Sequence, residues 1–239
     1  MEQFLLSKTA VVTGGTRGIG LEIARALAKA GASVAICGRS QASVEQAVDQ
    51  IKTDTGAHIC GCPCDVSNRE AVRKFFGLVD RELGGCDIVV NNAGVGLFAP
   101  VRAMDPADWE RVIGTNLTGV FHCCQEALLR FEKRGGGFLV QIGSLAGKNP
   151  FAGGAAYNAS KFGLNGFAEA MMLDHRHDKV RVCTIMPGSV NTDFSPRSQK
   201  ADWKIAPEDV AEIVLAVLRM PERTLISSVE VRPSRPAKS

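Results

Sequence analysis

Two kinds of apolar pattern alternate along the chain. Ala10-Val11-Val12, Ser33-Val34-Ala35-Ile36-Cys37 and Asp87-Ile88-Val89-Val90-Asn91 are short continuous apolar runs, as expected of strands buried on both faces. Between such runs lie longer stretches with apolar residues every three to four positions, such as Leu21, Ile23, Ala24 and Leu27 in a predicted helix over 21–30 that Gly31 stops. The same reading predicts helices over 42–53, 69–83, 108–131, 157–175 and 207–219, and strands over 58–64, 137–142, 180–186 and 224–231. Strands separated one by one by helices imply an α/β architecture, a parallel sheet covered on both faces. One such domain accounts for residues 1–239, with 233–239 reading as a frayed tail.

Charge and cysteines narrow the function classes. Lys+Arg 28 against Asp+Glu 25 leaves a net charge of +3 with no basic block, which gives no reason to expect a nucleic-acid partner. The segment 1–8 is too short and polar for a signal peptide, and no apolar run approaches the roughly 20 residues that span a bilayer. A cytoplasmic protein without a membrane partner is expected. Cys60-Gly61-Cys62-Pro63-Cys64 lacks the second cysteine pair that a structural zinc site usually draws on, so no metal is expected. Cys37, Cys86, Cys123, Cys124 and Cys183 sit among apolar residues and read as reduced packing thiols.

Two constellations carry chemistry. After the first strand comes Thr13-Gly14-Gly15-Thr16-Arg17-Gly18-Ile19-Gly20, a glycine-rich turn opening a helix. Glycines 14, 18 and 20 let the backbone approach a pyrophosphate, and the amides and dipole of the helix N-terminus favour its charge. At the end of the second strand an acidic residue would accept the ribose 2′-hydroxyl of NAD; here Cys37-Gly38-Arg39-Ser40 has no carboxylate. Arg39, with Arg17 as a second cation, suits a 2′-phosphate, so NADP(H) is expected over NAD(H). The second constellation is Tyr157, the only tyrosine, four residues before Lys161. On a helix the two side chains share one face, and the ammonium should lower the phenol from about 10 toward working pH, making it a general acid or base.

These residues, taken in order, resemble the short-chain dehydrogenase/reductase family over nearly the whole chain. Its Thr-Gly-x-x-x-Gly-x-Gly turn is matched by Thr13 to Gly20, its Asn-Asn-Ala-Gly by Asn91-Asn92-Ala93-Gly94, and its helix asparagine by Asn116. Its serine is matched by Ser144, its Tyr-x-x-x-Lys by Tyr157 and Lys161, and its Pro-Gly by Pro187-Gly188, followed by Val190 and Thr192. The resemblance implies a Rossmann-type doubly wound parallel sheet of about seven strands. It implies an NADPH-dependent reductase, reversible as an alcohol dehydrogenase, acting on a ketoacyl thioester or a small ketone or aldehyde. Tyr157 would protonate the carbonyl oxygen and Ser144 would hydrogen-bond it. Lys161 would hold the nicotinamide ribose and favour tyrosinate, and Asn116 would anchor a water that resupplies protons. Thr16, Ile19, Ser40, Asn92 and Val190 would contact the cofactor, Asp65 and Val66 would meet the adenine, and Ala93 and Gly94 would leave room for the dinucleotide. Thr192 would contact the carboxamide. Asn91 reads instead as a tie between central strands.

A silent NADP(H)-binding sensor or scaffold of the same fold is the alternative, and the intact Ser144, Tyr157 and Lys161 favour the enzyme. The segment 193–205, where the fold puts its substrate lid, carries Phe194, Trp203, Arg197, Lys200 and Lys204, groups suited to an apolar substrate body or an acidic carrier. The chain departs from relatives that end in a glycine-rich segment, since Val229-Glu230-Val231-Arg232-Pro233 leads straight to the tail. Surplus apolar residues on two helices (Val120, Phe121, Leu128, Leu129; Phe162, Leu164, Phe167, Met171, Met172) predict a homodimer or homotetramer.

Overall fold

The structure, a computed structural model, describes residues 3–194 and 201–236. Seven strands form one parallel sheet: β1 Thr9–Thr13, β2 Ser33–Gly38, β3 Ile59–Pro63, β4 Ile88–Asn91, β5 Gly137–Ile142, β6 Val180–Pro187 and β7 Ser228–Val231, in the spatial order β3-β2-β1-β4-β5-β6-β7. Seven α-helices connect and cover them: α1 Gly18–Lys29, α2 Gln41–Thr55, α3 Arg69–Leu83, α4 Pro106–Ile113, α5 Gly119–Arg134, α6 Ala155–His175 and α7 Pro207–Leu218.

The continuous apolar strands are buried on both faces. Ala10, Val12, Val34, Ile36, Val90 and Val140 point into a core shared with α1, α2 and α7, whereas Val11, Ala35, Cys37, Val89 and Leu139 point into a second core shared with α3, α5 and α6. The alternation follows from the strand period of two. After β1 the chain winds outward through β2 to β3, then returns to place β4 on the other side of β1. The crevice opens where the order reverses, at the carboxyl ends of β1 and β4, which is where a doubly wound sheet of the Rossmann type binds its ligand.

Two elements differ from the expected ones. The predicted 108–131 helix is α4 and α5 joined by a π-helical segment, Gly114–Thr118. Its residues keep a helical spacing, so the wider turn leaves no mark in the apolar pattern. The last strand is shorter than 224–231, because a Pro221–Thr224 turn, with Thr224 N–H donating to the Pro221 carbonyl at 2.8 Å, occupies the approach.

Candidate active site

The phosphate end is shaped by close approach of backbone. Gly14 and Gly18 adopt φ of 63° and 55°, a left-handed region that favours glycine. A Cβ on Gly20 would collide with the Gly14 carbonyl oxygen and the Asn92 amide. Asn92 donates to the Thr13 and Gly14 carbonyls at 3.0 and 3.1 Å, while the N–H groups of Asn92 and Ala93 both donate to Thr13 Oγ1 at 3.1 Å. The Asn92 side chain is thus spent on holding the turn against β4. Asn91, expected to tie central strands, is buried in β4 opposite Gln141 of β5, and both side-chain amides donate to Cys124 Sγ, at 3.4 and 3.5 Å. The N-cap of α1, Arg17, makes no side-chain cap, and the first turn carries no acidic residue. Its free N–H groups and the cradle that a Cβ would fill fit a pyrophosphate.

Arg17, Arg39 and Ser40 are exposed along the same cleft. Asp65 also faces it, with Oδ1 accepting from the Ser67 N–H at 3.0 Å and the Ser67 hydroxyl at 2.7 Å, while Asn68 rather than Asp65 caps α3.

At the far end, Tyr157 and Lys161 lie on α6 and Ser144 follows β5. Ser144 is extended, accepts from the Ala146 N–H at 3.1 Å and lines the same cleft as the Tyr157 phenol. Lys161 is buried, its ammonium donating to the Ile142 carbonyl at 2.8 Å and lying 5.8 Å from the Tyr157 ring centroid. Burial lowers Lys161 from 10.5 to about 8. The expected lowering of the phenol by Lys161 is not found: burial raises Tyr157 above its ordinary value, and Ser144 is the group that draws it part-way back. The helical spacing does bring the two side chains together, but the ammonium is committed to the carbonyl at the end of β5.

One cleft of about 1650 Å³ gathers the expected residues: Gly14, Thr16, Arg17, Gly18, Ile19, Gly20, Arg39, Ser40, Asp65, Val66, Asn92, Ala93, Gly94, Ser144, Tyr157, Lys161, Pro187, Gly188, Val190 and Thr192. It exceeds the roughly 300–1,000 Å³ of a site for a drug-sized ligand and has room for a dinucleotide beside a substrate. Asn116 is not part of the lining. The π segment turns it inward to complete burial, where Oδ1 accepts from the Val95 N–H at 2.8 Å and Nδ2 donates to the Val95 carbonyl at 2.9 Å and Ser160 Oγ at 3.1 Å. The Asn116 side chain thus ties the Val95 main chain to Ser160 of α6. Of the lid residues, Arg197 and Lys200 lie outside the described residues, whereas Phe194, Trp203 and Lys204 line the cleft.

Sequence reasoning missed Phe98 and Phe151, which also line the cleft. Phe98 packs edge-on against Tyr157, with centroids 5.6 Å apart, and Phe194 lies 5.7 Å from Tyr157 on a tilted plane. Both missed rings sit in irregular loops, where no periodicity marks them. Among the described residues no group of three or more His, Cys, Asp or Glu is placed to hold a metal ion, and all eight cysteines are unpaired. Burial pushes the thiols of Cys86, Cys124 and Cys183 up to about 12.

A parallel sheet with a phosphate-cradling turn at its switch point and a Ser-Tyr-Lys set beyond it defines a nucleotide-dependent oxidoreductase. A family model described as short chain dehydrogenase matches residues 8–203. An uncharacterized oxidoreductase of Staphylococcus aureus (strain USA300) is 30% identical over 230 residues, which cover 96% of this chain and 98% of that one. A metagenomic short-chain oxidoreductase solved in complex with NADP is 35% identical with a TM-score of 0.85, covering 97% of this chain and 99% of its own. An alcohol dehydrogenase from the archaeon Thermococcus sibiricus, complexed with 5-hydroxy-NADP, is 28% identical with a TM-score of 0.90 and the same coverage. The chain belongs to the short-chain dehydrogenase/reductase family, whose members use a nicotinamide cofactor.

Proposed function

We propose that the protein is an NADPH-dependent carbonyl reductase, reversible as an alcohol dehydrogenase, with Tyr157 as its proton donor. The observation that carries this reading is that Ser144, Tyr157 and the buried Lys161 meet on one cleft, with Ser144 close enough to the phenol to lower its pKa against the effect of burial. Bound NADPH would supply the hydride. Its pyrophosphate would meet the free N–H groups of α1, its 2′-phosphate Arg39 and Arg17, and its nicotinamide end Lys161, Pro187, Gly188, Val190 and Thr192. The chain's own groups handle the oxygen of the substrate. Ser144 and Tyr157 hold it from one side, and as negative charge develops there the Tyr157 O–H bond breaks and the proton passes to that oxygen. A raised phenol keeps its proton at neutral pH, which suits the reductive direction. The Lys161 ammonium, being lowered to about 8, sits close enough to neutral pH to give up and regain its proton.

Arg39 and Arg17 on the cleft, together with the NADP and 5-hydroxy-NADP in the two similar structures, support NADPH over NADH. Exposed Phe121 and Leu129 on α5 and Phe162 and Leu173 on α6 support a homodimer or homotetramer built on those helices. No described helix is long and apolar enough to cross a membrane. The unpaired cysteines support a reducing, cytoplasmic setting.

The test is NADPH oxidation against ketones, aldehydes and ketoacyl thioesters, with Tyr157→Phe beside the natural chain. Turnover should fall by at least about 100-fold in Tyr157→Phe while NADPH affinity stays within about twofold. Tight NADPH binding without turnover of any carbonyl would favour the scaffold reading instead.

A further inference from the structure

The phenol stands inside an arc of aromatic rings that the proton transfer itself does not require. Phe98 is edge-on to Tyr157 at 5.6 Å and 84°, and to Phe151 at 5.6 Å and 65°, while Phe194 meets Tyr157 at 5.7 Å and 58°. Phe151 and Phe194 are 46% and 40% exposed, and both line the cleft. Rings needed only for packing would be covered. These present apolar surface to the space beside the phenol.

A glycine makes the arc possible. A Cβ on Gly96 would lie 2.5 Å from Phe194 Cε1 and 2.9 Å from Phe98 Cζ. Gly96 is absent from the glycines of positive φ, so its backbone conformation would accept alanine. The missing side chain lets the two rings close over the loop.

We infer that the substrate is an aryl ketone or aryl aldehyde, its ring held by Phe98, Phe151 and Phe194 while its oxygen meets Ser144 and Tyr157, an inference that rests on the reductase reading above. Aromatic pairs favour offset or edge-to-face contacts with centroids about 4.5–7 Å apart, so an aryl ring joins the arc at the spacing its members already keep. A rigid aryl group also enters such a slot without losing the rotational freedom that a flexible acyl chain gives up. Gly96 then acts as a specificity determinant through the placement of Phe194.

The test compares acetophenone with cyclohexyl methyl ketone, the same skeleton with the ring saturated, in the natural chain and in Phe194→Ala, Phe98→Ala and Gly96→Ala. Steady-state rates are read with NADPH, and binding of each ketone to the NADPH complex of Tyr157→Phe is read by calorimetry. The natural chain should favour acetophenone by about threefold to tenfold or more in kcat/KM. Each variant should shrink that ratio at least about threefold, mainly through KM, and Gly96→Ala should do so with its unfolding midpoint within a few degrees. Equal use of the two ketones, or a ratio that none of the variants moves, would overturn the aryl assignment and leave the reductase reading standing. Turnover of neither ketone while an aliphatic carbonyl is reduced would overturn the aryl assignment alone; turnover of no carbonyl at all would sink the reductase reading, and calorimetry would then decide the aryl assignment by whether acetophenone alone binds.

Discussion

Tyr157 is the single tyrosine of the chain, so any phenolate absorbance in the protein reports that one group. With burial raising it and only Ser144 opposing, the ligand-free protein should titrate with a midpoint above the ordinary value of 10.0, and Ser144→Ala should move it higher still. A midpoint below 10.0 would show that Lys161 governs the phenol after all. Lys161 makes a separate prediction about stability. Its pKa is lower folded than unfolded, so the unfolded state binds the extra proton between about 8 and 10.5 and stability rises with pH across that window. Measured against Lys161→Met in denaturant melts, the natural chain should gain stability with a limiting slope of about 1.4 kcal/mol per pH unit there and hold a constant offset below the window. Arg39→Asp should weaken NADPH binding about tenfold to a hundredfold and leave NADH nearly untouched, since a hydrogen bond to a charged phosphate is worth about 1.5–3 kcal/mol. An unchanged preference, read by cofactor titration, would reassign the 2′-phosphate.

Among the elements, the π segment Gly114–Thr118 is the one whose shape has a single residue at its centre. Asn116 satisfies both the N–H and the carbonyl of Val95. Asn116→Ala should therefore cost about 2–4 kcal/mol in denaturant unfolding, with Asn116→Asp recovering only the half that needs an acceptor. A loss under 1 kcal/mol would mean that water replaces the amide freely. This segment also marks where sequence reading ends. Apolar periodicity located every strand and all but one helix boundary of consequence, because burial on one face repeats every 3.6 or 2 residues. Gly114, Thr115 and Asn116 keep helical spacing whether the turn is α or π, so only the Val95 partner, 21 residues away, distinguishes them. Phe98 and Phe151 were invisible for a related reason: their loops have no period, and their meaning lies in nearness to Tyr157.

Across the whole molecule, the strand order could not be read from local pattern, since it depends on which long-range pairings form, whereas Ser144, Tyr157 and Lys161 were legible as a set because the proposed chemistry would fix their types and spacing. The apolar faces of α5 and α6 were likewise visible in sequence, and the structure divides them. Val120, Leu164 and Met171 are buried in the core, while Phe121, Leu129, Phe162 and Leu173 remain exposed. Phe121→Asp combined with Phe162→Asp should reduce the mass found by light scattering to that of one 25.4 kDa chain, and a natural chain already of that mass would refute the oligomer. The clamp from Asn116 has one more consequence. It grips Val95 through main-chain atoms, which every amino acid shares, and it reaches Ser160, whose hydroxyl donates to the Tyr157 carbonyl at 2.7 Å. Tyr157 and the 94–98 loop are thereby fastened in register by contacts indifferent to what side chains the loop displays. Under the proposed mechanism, mutation is free to redraw the choice of substrate while the phenol that would protonate it stays where it is.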